Sequence, residues 1–262
     1  MKKLRFFPYK MGSQGCKELA RRLGALRVYP DGNYLHRATH LVINWGNSIA
    51  PRWNVLYYNM VNRPDKVGIA SNKLHCLAVL HEHLVPAVEY TTDVREAMDW
   101  VTTGSVVYAR KILNGSEGRG IVVVQPQPEP IMPTAPLYTK RPKVRAEYRI
   151  HVVNNKVIDA VQKKKMTTEK MEAEGFTYDK YVKNHRNGWV FARDGIDIPQ
   201  EVKDVAVQAL MALSLDFGAV DIIYTPTGEA LVLEVNTAPG LEGTTLERYT
   251  VAFKELAHGH QN

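Results

Sequence analysis

Cysteine is nearly missing from this chain. Two of its 262 residues are Cys, Cys16 and Cys76. Two thiols cannot build a disulfide framework or a cysteine-spaced metal site, and such scarcity fits a reducing compartment. Long apolar runs are missing too: no stretch reaches the roughly 20 residues that a membrane-spanning helix needs. The N-terminus MKKLRFFPYKMG is basic but has no apolar core of the kind a secretory signal requires. These absences predict a cytoplasmic protein with no membrane partner. Internal repeats and low-complexity tracts are also lacking. The remaining composition, 45% hydrophobic and 23% charged, is that of a soluble globular chain.

Charge is not balanced. Lys and Arg number 34 against 27 Asp and Glu, a formal net charge of +7. An excess of this kind favours a polyanionic partner, either nucleic acid or a nucleotide such as ATP. The basic residues are spread out, with small clusters at Lys163-Lys164-Lys165 and Lys140-Arg141-Pro142-Lys143. No nucleic-acid-binding motif accompanies them, so nucleic acid remains an alternative carried by charge alone.

Periodicity supplies the elements. Leu4 to Phe7 reads as a strand, Cys16 to Leu23 as a helix closed by Gly24, and Leu41 to Asn44 as a buried strand. Together they predict a small β-α-β lobe. Ser13 and Gln14 at the helix entry are either an anion-binding end or a plain cap. Ser71 to His83 predicts one helix capped by Ser71, and Val94 to Trp100 predicts another. Val106 to Lys111 and Ile121 to Gln125 form a hairpin around a glycine loop. Proline excludes a central strand or a helix interior from Gln125 to Pro136, which reads as an extended connector. Glu147 to Val153 and Val157 to Lys163 form a second hairpin around Asn154-Asn155. A helix over Gln200 to Leu215, strands at Gly218 to Tyr224 and Ala230 to Val235, and a helix from Thr245 to Leu256 complete the chain.

Three stretches carry chemistry. In LVLEVNTAPGLEG, Leu231 to Gly243, an apolar strand ends in Glu234 and Asn236, two apart and so on one face. Asp221, in the preceding strand, can face them. Two carboxylates and an amide oxygen make a hard-oxygen site for Mg2+, with Mn2+ as the other candidate ion. In KILNGSEGRGI the glycines let backbone N–H groups approach phosphates, and Arg110 and Lys111 precede them. A strand rather than a helix follows, so the loop is not a P-loop; it is either a lid on a hairpin or a plain hairpin loop. In EYRIHVVNNKVIDAVQKKK, Glu147, Arg149 and His151 alternate with their neighbours, as do Asp159, Val161 and Lys163. Such a face either meets phosphates and carboxylates or is an exposed charged surface.

The order of these pieces resembles the ATP-grasp superfamily of carboxylate–amine ligases, and within it the ribosomal-protein glutamate ligase branch; D-alanine–D-alanine ligase is a more distant likeness. The resemblance spans about Ser71 to Gly243 and is most specific in VDIIYTPTGEALVLEVNTAPGLEG and ARKILNGSEGRGIVVV. It implies an α/β (α+β) chain: a short N-terminal lobe over residues 1–68, then an ATP-grasp domain over 69–262 whose lid (about 104–135) and C-terminal subdomain (about 136–262) sandwich the nucleotide. It implies Asp221, Glu234 and Asn236 as metal ligands, and Lys111, or Arg110 by a one-residue shift, on the ATP phosphates. Gly115, Ser116, Gly118 and Gly120 become the phosphate lid, Lys73 an ATP-domain lysine, and Tyr138, Thr139 and Lys140 part of the adenine hinge. Glu147 and Arg149 match an acidic-x-Arg pair, and Lys163 a phosphate-facing cation. Asn184 and Arg186 match an Asn…Arg loop that steadies the acyl phosphate. The hinge LYTKRP departs from the family in being basic rather than acidic. Asn44, Gly46, Asn47 and Ser48 of INWGNS are a further expected substrate contact.

The implied reaction is ADP-forming: ATP and Mg2+ convert a carboxylate to an acyl phosphate, and an amine attacks it. Its partners would be amino acids, peptides or proteins, and the amine could equally be a polyamine or a modified base. A nucleotide-binding module without ligation is the competing function.

Overall fold

The computed structural model describes residues 2–115 and 118–259. Among them the strands form three sheets. The first is parallel and contains β1 (Lys3–Pro8), β2 (Leu26–Arg27), β3 (His40–Trp45) and β4 (Met60–Val61) in the order β2-β1-β3-β4; α1 (Gln14–Arg22) crosses over it. Every residue of β3 is buried, as expected of a strand covered on both faces. Gly24, at φ +58°, takes the chain out of α1 in a conformation that favours glycine.

Two helices follow, and the periodicity predicts only the second of them. α2 (Pro64–Ser71) opens on Pro64, a residue suited to a first helical turn. α3 (Lys73–Glu82) is capped by Asn72, whose side chain accepts from the N–H groups of Leu74 and His75 at 3.1 and 3.2 Å. Ser71 is therefore the last residue of α2 and not a cap. The Asx bond of Asn72 starts α3 and separates it from α2.

The second sheet is antiparallel: β5 (Tyr90–Thr91), β6 (Val107–Arg110), β7 (Ile121–Val124) and β8 (Leu137–Lys140), ordered β5-β8-β6-β7. α4 (Val94–Thr102) covers it and is capped by Asp93. The proline-rich segment 125–136 carries no regular structure.

The third sheet holds β9 (Ala146–Val153), β10 (Lys156–Lys165), β11 (Trp189–Ala192), β12 (Phe217–Tyr224) and β13 (Ala230–Asn236), antiparallel in the order β11-β10-β9-β12-β13. Asn154 and Asn155 both take positive φ, 49° and 58°, which makes the tight hairpin between β9 and β10. α5 (Thr168–Glu174) lies between β10 and β11. α6 (Gln200–Ala212) packs Val202, Val205, Ala209 and Leu210 on Tyr148, Ile150, Val152, Val220, Ile222 and Val232.

α7 (Gly243–Gly259) joins the first and third sheets: Tyr249 and Phe253 pack with Trp45, which stacks on Phe217 at 5.3 Å between ring centroids. Asn62, fully buried, reinforces this joint. Its backbone N–H donates to Asp216 Oδ2 at 2.6 Å, and its side chain accepts from the N–H of Asp216 at 2.7 Å and donates to the carbonyl of Phe217 at 2.8 Å. No helix among the described residues is long and apolar enough to cross a membrane.

Candidate active site

The face of the third sheet opposite α6 carries the charges. Register explains the assembly: Arg149 on β9 stands between Val161 on β10 and Asp221 on β12, and Asp221 stands opposite Glu234 on β13. Residues opposite one another in antiparallel strands share a face, so these side chains form a row. Arg149 clamps Asp221 with two bonds, Nε to Oδ1 at 2.6 Å and Nη2 to Oδ2 at 2.7 Å. Lys163 Nζ bonds Glu147 Oε1, and Lys183 Nζ reaches Glu147 Oε2 at 2.9 Å. Phe191, in register with Lys163, lies under both cations, with its ring centroid 4.5 Å from Arg149 and 5.6 Å from Lys163. The alternating charges are thus not an exposed charged surface: Glu147 and Asp221 are buried at 4% and 2% exposure.

A bulge sharpens the arrangement. Asp221 pairs with Glu234 but Ile222 pairs with Val232, so Leu233 is an extra residue on β13. Bulges re-aim side chains next to functional sites. Here Val232 faces the α6 core, while Leu233 and Glu234 both border the open space above the sheet.

That space is a cavity of about 860 Å³. Arg110, Arg149, Lys163, Asp221, Glu234 and Asn236 all line it. A smaller cavity of about 330 Å³ adjoins it and shares Glu234, Asn236 and Ala238. Lys73 stands in the smaller one, bonding the carbonyl of Gly115 in the glycine loop, with Nζ 3.7 Å from Glu234 Oε2. Gly118 lines the larger one at φ +79°; a Cβ there would collide with Val182, so glycine allows the loop to dock on the segment after α5. Ser116 lies outside the described residues.

β6 decides between Arg110 and Lys111. Arg110 points inward, 5% exposed, and its Nε donates to Thr139 Oγ1 at 3.2 Å. It forms no ion pair with any described residue, and burial lowers its pKa against the opposing field of Glu234. A buried guanidinium without a carboxylate is a group awaiting an anion. Lys111, one residue on, is exposed and lines neither cavity. Of the two residues, Arg110 and not Lys111 therefore borders the cavity.

The hinge divides by the same alternation. Thr139 meets Arg110, whereas the Tyr138 ring is buried against α4 with its hydroxyl bonded at Pro133 and Ala135. Lys140 pairs with Glu89 at 3.1 Å. The side chains of Tyr138 and Lys140 therefore take no part in the cavity. Arg141, next in the chain, does line it, with its guanidinium 5.4 Å from the ring centroid of Tyr181. Asn184 lines the cavity and caps a short helical turn by accepting from the N–H of Asn187. Arg186 is exposed and outside both cavity walls. The Asn44 side chain donates to the Asn47 carbonyl and accepts from the Asn47 N–H, each at 2.9 Å, while the Asn47 side chain donates to the Pro8 carbonyl at 3.3 Å and accepts from the N–H of Ile49 at 3.0 Å, so their role is structural. Gly46 borders the smaller cavity at φ +77°, and its missing Cβ lets Ala238 approach.

The donor set fits a hard cation. Asn236 Nδ2 bonds Glu234 Oε1 at 3.2 Å, so the two share the face that their spacing implies. Burial would raise the Asp221 carboxyl, but Arg149 and Lys163 outweigh it and hold it below the ordinary carboxylate range. It is therefore ionised, and each oxygen keeps a lone pair beyond the one Arg149 uses. Among the described residues no three His, Cys, Asp or Glu side chains gather as a metal group. The candidate is two carboxylates with an amide, which suits Mg2+ completed by water and phosphate rather than an all-protein cage.

Comparison with known proteins follows this geometry. Residues 138–257 match the RimK-like ATP-grasp domain. This part of the chain is similar to RimK-like ATP-grasp domains. A probable alpha-L-glutamate ligase of Aeromonas salmonicida is 26% identical over 213 residues, covering 76% of this chain and 66% of the relative. One from Haemophilus influenzae is 32% identical over 133 residues, covering 50% and 42%. The chain spans between half and two thirds of the length of the first curated relatives it matches. The ATP-grasp fold extends beyond the matched domain. The ATP-grasp ligase PsnB complexed with minimal precursor superposes at TM-score 0.64 with 13% identity, over 97% of this chain and 99% of that one. D-alanine–D-alanine ligase from Bacillus anthracis gives 0.61 at 10% identity, over 98% and 93%.

Sequence reading missed several residues that line the cavity. Phe191 and Lys183 were not singled out, because only strand pairing and loop docking bring them to Lys163 and Glu147. Lys10 and Tyr9 reach the cavity from the loop after β1, the usual place for ligand contacts at the carboxyl ends of parallel strands.

Proposed function

We propose that this chain is an ATP-dependent carboxylate–amine ligase working through an acyl phosphate. The observation that carries the reading is the row Arg149–Asp221–Glu234 facing a large cavity, with the buried, anion-seeking Arg110 across from it. Arg110, Lys73, Arg149 and Lys163 supply positive charge for the phosphates. Apolar side chains at Tyr108, Val144, Ile223 and Leu233 offer a slot for a flat base. Glu234 and Asn236, with Asp221 beside them, would hold Mg2+. When bound, such an ion neutralises β- and γ-phosphate oxygens.

The chain's own residues align and desolvate. Arg149 is fixed by Asp221 below and by Phe191 on its face, so its guanidinium is pre-aimed rather than searching. Asn184 and Lys183 border the same cavity, where the acyl phosphate would form. Arg186 would reach it only by movement of the 184–187 turn. The names of the curated relatives make L-glutamate the first substrate to try.

The test is ADP release with ATP and Mg2+ against amino acids, peptides and polyamines, with mass spectrometry of the products. ADP formation requiring both a carboxylate and an amine supports the ligase. Nucleotide binding with no turnover on any pair contradicts it and leaves a binding module.

A further inference from the structure

The two basic clusters of the sequence, Lys140-Arg141-Pro142-Lys143 and Lys163-Lys164-Lys165, belong to different sheets, and the segment between α5 and β11 joins them. Arg141 stands 5.4 Å from the ring centroid of Tyr181, and Lys180 4.8 Å from the same ring. Lys165 stands 4.5 Å from the Tyr178 centroid. Tyr178 in turn lies 5.6 Å from Trp189, with the ring planes 32° apart. Trp189 is in register with Lys165, and Phe191 with Lys163. Two residues apart on β11, both rings share the charged face of the third sheet. The result is a strip of rings and cations that leads out of the larger cavity, which Trp189, Phe191 and Tyr181 also line.

The strip is open and its charge is unspent. Tyr178 and Phe191 keep 41% and 45% of their surface exposed. Lys165, Lys170 and Lys180 are exposed, and neither they nor Arg141 pair with a carboxylate of any described residue. Two carboxylates of the region are committed elsewhere. Asp179 accepts from the N–H groups of Tyr181 and Val182 at 2.7 and 3.2 Å, and Glu147 holds Lys163 and Lys183. Glu169, Glu172 and Glu174 on α5 form no ion pair with any described cation.

We infer that this strip is a binding surface for single-stranded nucleic acid. Phosphates meet Arg141, Lys165, Lys170 and Lys180, and bases stack on Tyr178 and Phe191. Every base has a π-face, so an exposed ring takes one whatever the sequence. A duplex keeps its bases stacked on one another and could offer the strip only its phosphates. An acidic peptide would meet the cations and leave the rings unused. Interleaved rings and cations therefore favour an unpaired strand over either.

The test is fluorescence anisotropy of the full chain with labelled oligouridine and oligothymidine of about 12 nucleotides, a duplex of the same length and an oligoglutamate of the same charge, between about 50 and 200 mM salt. A single strand binds more tightly than the duplex and the oligoglutamate, and log K falls against log salt with a slope of roughly −3, as four phosphate contacts require. Lys165→Ala and Lys180→Ala each weaken binding and reduce that slope by about 0.7. Tyr178→Ala weakens binding about fivefold to a hundredfold at unchanged slope, and Tyr178→Phe restores it. None of these three side chains lines the cavity, so ADP affinity stays at the wild-type value in all of them. Lys254→Ala, an exposed cation on α7, leaves the strand bound as before. The inference is overturned if no single strand binds at about 50 mM salt, if the duplex or the oligoglutamate binds as tightly, if Tyr178→Ala binds as wild type does, or if Lys254→Ala costs as much as Lys165→Ala.

Discussion

The two faces of the five-stranded sheet come from the same strands and have opposite chemistry. On β9, Tyr148, Ile150 and Val152 bury themselves under α6, while Glu147, Arg149 and His151 between them face the other way. On β12, Val220 and Ile222 join the apolar side and Asp221 the charged one. The apolar face gains stability from each residue separately. On the charged face the ions pair with one another, Arg149 with Asp221 and Lys163 with Glu147, whereas Arg110, on the neighbouring sheet, is buried without a carboxylate partner among the described residues. Alternation lets a single sheet provide both a scaffold and a site.

The largest effect should come from the charged face. Glu234→Gln is expected to cut Mg2+-dependent turnover about a hundredfold or more, the scale of losing a preorganised electrostatic group, with the circular dichroism spectrum unchanged. Turnover near wild type would remove Glu234 from the metal site.

The reverse pattern is expected one residue away from Asp221. Ile222→Ala, on the α6 side, should lower unfolding free energy by about 2–5 kcal/mol, the cost of a large-to-small change in a packed core, while the folded fraction keeps its KM for ATP. Urea denaturation and initial rates separate the two. If Ile222→Ala raised KM for ATP while leaving stability intact, the division of labour between the faces would fail.

His151 tests burial on the charged face. Burial, aided by the field of Arg149, pushes its pKa to about 4. The unfolded imidazole takes up its proton near pH 6.5 and the folded one does not. Stability from this group is therefore complete above about pH 6.5 and declines as pH falls toward 4, by roughly 3 kcal/mol in all. His151→Gln should flatten that part of the stability profile. An unchanged slope would mean that the imidazole titrates normally.

The smallest effect is expected at Lys111. Lys111→Ala should leave KM for ATP within about twofold, like other exposed surface changes, whereas Arg110→Met should raise it about tenfold or more. Equal effects would reverse the assignment made from β6.

Much of this was readable in the residues. Period-two alternation placed Glu147, Arg149 and Lys163 on one face, and the two-residue spacing of Glu234 and Asn236 put them side by side. Asn154-Asn155 marked its own turn. Other features depend on information outside a local window. Phe191 joins the site only because β11 pairs in register with β10. The Leu233 bulge depends on the partner strand. Tyr138 and Lys140 turn from the cavity, although the resemblance placed their segment at the hinge, because strand alternation sends alternate side chains to opposite sides. The split between α2 and α3 was legible in principle: Pro64 and Asn72 are both helix-start residues, but the apolar periodicity running from Ser71 obscured them.

The central claim is that this charged face binds a nucleotide through a divalent ion. The most direct measurement is calorimetric titration of ADP into the wild-type chain and Glu234→Gln, each with and without Mg2+. Binding of ADP that strengthens with Mg2+ in the wild type, and loses that dependence in Glu234→Gln, is the expected result. ADP affinity that ignores Mg2+, or the same Mg2+ dependence in both proteins, would contradict it.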